Sequence, residues 1–179
     1  MTVLASEFDV GLALGRSLTA AETDRVSDLL LLASAAVEDH TGYRFAPGSY
    51  TVGRKTVGGR VRLPAVVDTV TTVTEVDQST GETTVLTDYT RRGSTLYGLG
   101  ACWVEVVFTV TTAVPLVVVS LVAGIVANTL AGPPVGAESA QSGPFQMSFV
   151  KSSGRVYLSA SDKLILRKYR QGRSALVLL

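Results

Sequence analysis

The sequence predicts an α+β fold: a helical bundle into which an antiparallel β block of five to six strands is inserted. Three observations predict it. Val114–Gly132, VPLVVVSLVAGIVANTLAG, is an apolar run lying inside a charge-free span from Val106 to Ala137, long enough for about five helical turns. Thr19–Gly42 repeats its apolar residues three and four apart, the period of one helix face. Between them, residues 49–111 change to period two and become rich in Val and Thr.

In chain order, Ala5–Leu14 is a weakly patterned stretch, either a short helix or a mobile arm. Thr19-Ala-Ala-Glu22 is a capping box that opens the first strong helix. Val26, Leu29, Leu30, Ala33, Ala36 and Val37 form its apolar face, and Gly42 closes it at the C′ position. His40, near that end, suits the negative end of the helix dipole. Tyr50–Val57 alternates and meets Gly58-Gly59, a two-residue hairpin signal, before Arg60–Pro64 returns. Val66–Val76 is a long strand ending at the turn Gln78-Ser-Thr-Gly81, and Thr83–Leu86 with Tyr89 returns. Arg91-Arg92-Gly93 reads as a turn before Thr95–Tyr97, and Trp103–Thr111 as the last strand, with Trp103 or Val104 setting its buried face. Such a block folds as a small sandwich or an open barrel. Its Thr-rich strands leave flat edges that invite pairing with another chain.

Pro115 suits the start of the apolar helix, and Gly132-Pro133-Pro134 its end. Val, Leu and Ile occur on nearly every side, so burial nearly all round is expected, by neighbouring elements or by neighbouring subunits. Ser120, Gly124 and Asn128 form a stripe of small residues, with Ala123, Ala127 and Ala131 beside it, where another backbone can approach closely. A membrane span is the competing reading, since the length is near the lower limit. No aromatic belt flanks the run and no Lys or Arg lies near either end, which favours the buried helix. Pro133–Pro144 reads as an exposed flexible loop, Phe145–Val150 as a strand, and Asp162–Arg170 as a closing helix capped from Ser159–Asp162. No internal repeat is present.

Charged residues make up only 17% of the 179-residue chain and hydrophobic residues 46%. A soluble monomer usually carries about a quarter charged, so this balance suits a surface covered by copies of itself. The net charge of +1 argues against polyanion binding by bulk electrostatics. Locally, Lys151, Arg155, Lys163, Arg167, Lys168, Arg170 and Arg173 face Asp162 alone in the last thirty residues. One cysteine, Cys102, excludes an intrachain disulfide and a cysteine metal cluster. In its setting, ACWVEVVF, it reads as a small hydrophobe, not a nucleophile. The N-terminus lacks a basic region preceding an apolar one, so a signal peptide is not expected. A reducing cytoplasm, or something assembled there, is the expected setting.

No catalytic, metal or cofactor constellation stands out. There is no phosphate-binding Gly loop followed by a helix, no HExxH, and no paired His and Cys. Glu38-Asp39-His40 are adjacent on a helix and diverge. The glycines of RRGSTLYGLG suit turns, and Glu75 with Asp77 suits a solvated strand end. The basic closing helix has three readings: contact with nucleic-acid phosphates, docking of an apolar stripe into a partner's groove, or a solvated amphipathic helix on its own domain.

The order of elements, with His40-Thr-Gly-Tyr-Arg-Phe45 ending the first helix and Leu164-Ile-Leu-Arg-Lys-Tyr-Arg170 in the last, resembles the head-to-tail connector adaptor proteins of long-tailed bacteriophages over residues 19–172. At Thr111–Val114 the chain lacks the Gly-aromatic pair that family often carries. The resemblance implies a single adaptor domain over residues 1–179, with core helices 19–42 and 114–132, the β block 49–111, and a docking arm 161–179. It implies a non-enzymatic virion protein, a ring of usually twelve copies between portal and tail, with double-stranded DNA passing through its centre without sequence-specific contact. Partners would be the portal and a tail-side stopper or completion protein. Residence would be the neck at the capsid portal vertex, with the host cytoplasm during assembly. Portal binding would fall to Leu164, Ile165, Leu166 and Tyr169, rimmed by Arg167, Lys168, Arg170 and Arg173, and helix packing between subunits to Ser120, Gly124 and Asn128. Other readings are a stopper or tail terminator, which two strong helices disfavour, a small hydrolase or ligand-binding domain, and a membrane-anchored protein.

Overall fold

The computed structural model describes residues 2–131, 139–142, 145–148 and 156–170. Two compact units emerge from its contacts: Met1–His40 with Pro115–Lys168, and Thr41–Val114 with Tyr169–Leu179.

The first unit is mainly helical. Helix α1 spans Glu7–Leu14, α2 Ala20–Thr41, α3 Leu116–Ala131 and α4 Ala160–Leu166, followed by a 3-10 turn over Arg167–Tyr169. The stretch around α1 is no loose arm. Ser6 and Asp9 make a reciprocal capping box, and Gly15 closes the helix in the left-handed region. Leu4 and Val10 are buried, and the Leu4 N–H donates to Ser34 Oγ at 2.9 Å, which in turn donates to the Leu30 carbonyl at 2.7 Å. Helix α1 packs against α3. Helix α2 begins as its capping box directs: the Thr19 N–H donates to Glu22 Oε2 at 2.8 Å, and Arg16 Nη2 pairs with Glu22 Oε1 at 2.6 Å. Val26, Leu29, Leu30, Ala33 and Val37 are its buried stripe. The Pro115 carbonyl accepts from the Val118 and Val119 N–H groups to start α3. That helix has 16 residues, and among the described residues no helix is long and apolar enough to cross a membrane. Part of the expected loop is a hairpin, β8 (Ser139–Ser142) paired with β9 (Phe145–Ser148). Residues 133–138, and the end of the expected strand at 149–150, lie outside the described residues.

The second unit holds two antiparallel sheets. Strands β1 (Gly48–Lys55), β7 (Trp103–Val110), β3 (Thr69–Val76) and β4 (Thr83–Val85) lie in the order β1-β7-β3-β4. Strands β2 (Arg60–Arg62), β6 (Thr95–Tyr97) and β5 (Thr90–Arg92) form the second sheet, order β2-β6-β5. Arg91 and Arg92, expected in a turn, are therefore paired strand residues, and the turn sits at Gly93-Ser94. Gly58 and Gly59 both take positive φ, as a two-residue hairpin turn requires. Alternation along β7 buries Val104, Val106, Phe108 and Val110, so Val104 and not Trp103 sets the inner face. These join Val61, Leu63, Val73 and Leu96 in one core. Each such side chain contributes about 1.5–3 kcal/mol when fully buried.

Polar groups that shape the strands of this unit are answered. Arg54 donates to the Arg62 carbonyl at 2.9 Å, and burial lowers its pKa. Thr56 Oγ1 donates to the Gly100 carbonyl at 2.6 Å and accepts from the Cys102 N–H at 3.0 Å, which fixes the approach to β7. Asp68 accepts from the Thr111 N–H, which fixes the departure and holds its carboxyl below the usual carboxylate range.

Candidate assembly surfaces

Helix α4 is organised by its N-terminus. Ser159 Oγ accepts from the Asp162 N–H at 3.2 Å, and the Ser159 N–H donates back to Asp162 Oδ2 at 2.8 Å. This pins seven residues whose apolar members point in different directions. Leu164 is 68% exposed and Ile165 is also exposed, whereas Leu166 is fully buried. Lys163, Arg167, Lys168 and Arg170 are exposed around them. The expected stripe is thus divided: Leu164 and Ile165 are exposed, and Leu166 is buried. Arg173 lies outside the described residues.

Tyr169 belongs to the β unit and is already engaged there. Its ring lies 5.1 Å from Phe45, edge to face, and 5.9 Å from Tyr43, which sits 4.9 Å from Phe45. Such offset and edge arrangements are worth about 0.5–1.5 kcal/mol per pair beyond area burial. Burial raises the Tyr43 phenol above its ordinary value, with the nearby Arg62 charge pulling the other way. The segment Tyr43–Phe45, singled out in the sequence as the end of the first helix, is the platform for this cluster. The Arg44 N–H between the rings donates to the Pro64 carbonyl at 2.6 Å.

The small-residue stripe of α3 lies along its more open side. Ser120 and Asn128 are exposed and Gly124 is half-buried. Among the described residues outside its own helical turn, no atom lies within 4 Å of a Cβ added at Gly124. The neighbouring Ala123 and Ala127 are buried instead, together with Val118, Val122 and Val126. Leu116 is 83% exposed, so α3 is covered along one side of its length and open along another.

Sequence reasoning passed over one groove. Lys55, Glu75, Asp77, Glu82, Cys102 and Trp103 line a space of about 500 Å³ in the β unit. The Trp103 indole crosses Gly53, where a Cβ would lie 3.1 Å from Nε1, so glycine makes room for the ring. Burial and then the Glu75 charge push the Cys102 thiol up, opposite to what a nucleophilic thiolate needs. Among the described residues no group of side chains has the make-up of a metal site.

No protein-family model and no curated protein matches the sequence. Solved structures do share its fold. A chain in the neck of an empty GTA (gene transfer agent) particle, computed with C6 symmetry, superposes with a TM-score of 0.54 at 19% identity, covering 97% of this chain and 96% of that chain. A chain in the neck of a native GTA particle, computed with C12 symmetry, gives a TM-score of 0.50 at 18% identity, with 97% and 96% covered. The likeness to these neck chains is one of fold.

Proposed function

We propose that this chain is a structural neck subunit, an adaptor that assembles as a ring of twelve between a portal and the tail-side stopper or completion protein, with double-stranded DNA passing through the ring. It would be made in the host cytoplasm and reside in the virion neck, and no catalysis is assigned to it. The observation that carries this reading is the whole-length likeness to neck chains of particles computed with six-fold and twelve-fold symmetry. Head-to-tail contacts close into such rings when the rotation permits. The low charge content and the open side of α3 agree with it.

Within this reading Leu164 and Ile165 are the portal contacts, rimmed by Arg167, Lys168, Arg170 and Arg173. Leu166 and Tyr169 hold the segment in place. Native mass spectrometry of the chain, alone and with portal, tests the proposal; a chain that stays monomeric in the presence of portal would sink it. Deleting Ser161–Leu179 should abolish portal attachment, but it also strips Tyr169 from Tyr43 and Phe45. The sharper variant is Leu164→Ser with Ile165→Ser. Both side chains are exposed, so each change should alter stability by no more than about 0.5 kcal/mol. Portal attachment should nevertheless be lost, and a double variant that still co-migrates with portal would show that the contact lies elsewhere.

A further inference from the structure

The second sheet of the β unit carries a surface that the neck reading leaves unassigned. Its registers place Arg60 opposite Tyr97 and Tyr97 opposite Thr90, then Arg62 opposite Thr95 and Thr95 opposite Arg92. Directly paired residues share a face, so Arg60, Arg62, Arg92 and Tyr97 point to one side. The intervening row points to the other: Val61 and Leu96 are buried there, and Arg91 donates to the Asp68 carbonyl at 2.8 Å. Arg60, Arg62, Arg92 and Tyr97 are all exposed.

Nothing in these three strands balances the charge. Their nine residues, Arg-Val-Arg, Thr-Arg-Arg and Thr-Leu-Tyr, include no carboxylate. Among the described residues, none of Arg60, Arg62 and Arg92 has an ion-pair partner. Arg60 and Arg62 sit about 6.8 Å apart along β2, and Arg92 about 9.6 Å from Arg62 across the sheet. Holding like charges this close on an exposed face is unfavourable without a counter-charge. Their fork-shaped donors fit phosphate oxygens, and one sheet face, with an exposed aromatic ring beside them, presents them all to one extended polyanion.

We propose that the outer face of the β2-β6-β5 sheet, through Arg60, Arg62 and Arg92, binds the phosphate backbone of duplex DNA without reading its sequence. The phosphate chemistry follows from the face itself; the choice of a duplex rests on the neck reading. Local patterning, not the net charge of +1, carries the contact.

The test is fluorescence anisotropy of a labelled mixed-sequence duplex with the full chain, titrated over salt. Three phosphate contacts give a log–log slope of about −2.7 per engaged protomer, an affinity loss of about 40-fold between roughly 50 and 200 mM salt. R60Q/R62Q/R92Q should lose that slope, while R60K/R62K/R92K should keep it. R16Q/R25Q/K163Q removes the same charge from the helical unit and should bind as wild type does. The inference is overturned if the wild type does not bind the duplex, or if both glutamine triples weaken binding equally. It is also overturned if R60Q/R62Q/R92Q binds DNA normally but loses self-association, which would give the face to the Glu75, Asp77 and Glu82 groove of a second copy. Native mass spectra of the same samples separate this from the neck reading. A wild type that is monomeric even with portal, yet binds DNA through this face, keeps the inference and loses the ring; a ring that ignores DNA does the reverse.

Discussion

The two units treat their large apolar side chains differently. In the β unit Val61, Leu63, Val73, Leu96, Val104, Val106 and Phe108 close on one another, and the side chains left outside are mostly polar, with Thr the commonest. Its exposed valines, Val57, Val66 and Val85, are scattered among turns and an edge strand. In the helical unit Phe8, Leu12, Leu32, Leu116, Leu164 and Ile165 are exposed, at least one of them on each helix. Single exposed apolar residues need no explanation, but their presence on every helix does. The β unit carries a core complete in one chain, whereas the helical unit presents more apolar surface than its own helices cover.

The largest effect that tests this contrast lies in the β core. Phe108→Ala removes a fully buried ring packed 5.8 Å from Tyr50 and should cost about 3–5 kcal/mol, read as a shift in denaturant midpoint. Leu116→Ala, on the open side of α3, should change the same midpoint by no more than about 0.5 kcal/mol. Comparable losses would mean that the helical unit is as self-contained as the β unit.

How much of this was legible beforehand depended on the range of the interactions. The Thr19–Glu22 box, the Gly58-Gly59 turn and the period of β7 are local, and each formed where the residues placed it. Ser6-x-x-Asp9 carries the same kind of signal with Asp in the Glu position, but the weak apolar pattern of α1 leaves it without a helix face to mark. What fixes α1 is tertiary: Val10 in the interior and Leu4 bonded to Ser34, contacts thirty residues apart in sequence. Arg91 and Arg92 looked like a turn because a three-residue polar edge strand has no period to read. The division of the block into two sheets, and with it the gathering of Arg60, Arg62 and Arg92 on one face, depends on a register that no single stretch encodes. The split of Leu164 and Ile165 from Leu166 was hidden for a related reason, since adjacent helical residues diverge but only the packed chain decides which is covered.

The cap of α2 offers a smaller, more local test. Thr19→Ala should cost about 1 kcal/mol, read in the helical signal. It carries a pH signature. Arg16 first, and then the Thr19 N–H and hydroxyl, pull the Glu22 carboxyl from 4.5 down to about 2. A folded pKa below the unfolded one stabilises above the unfolded value and is lost as the acid form fills. The contribution is therefore complete above pH 4.5 and fades as pH falls toward 2. Glu22→Gln should flatten the acid limb of the stability profile in that window. A profile that overlays the wild type would mean that the Arg16–Glu22 pair does not hold in solution.

Gly124 separates a chain's own packing from packing between chains most cleanly. If the Ser120–Gly124–Asn128 stripe were a contact inside the unit, Gly124→Leu would wedge it open and destabilise the fold. Among the described residues, nothing outside its own helical turn comes within 4 Å of a Cβ there. A leucine there adds helix propensity of up to about 1 kcal/mol relative to glycine. The isolated variant should therefore melt at the same temperature or slightly higher. If the stripe is where a neighbouring subunit's backbone comes close, the same leucine should block assembly while the subunit stays folded. Loss of the higher-mass species in native mass spectra, with an unchanged or raised melting point, is the expected pair of results. A variant that assembles normally would remove the stripe from the interface and leave Leu116 and its neighbours as the side of α3 to examine.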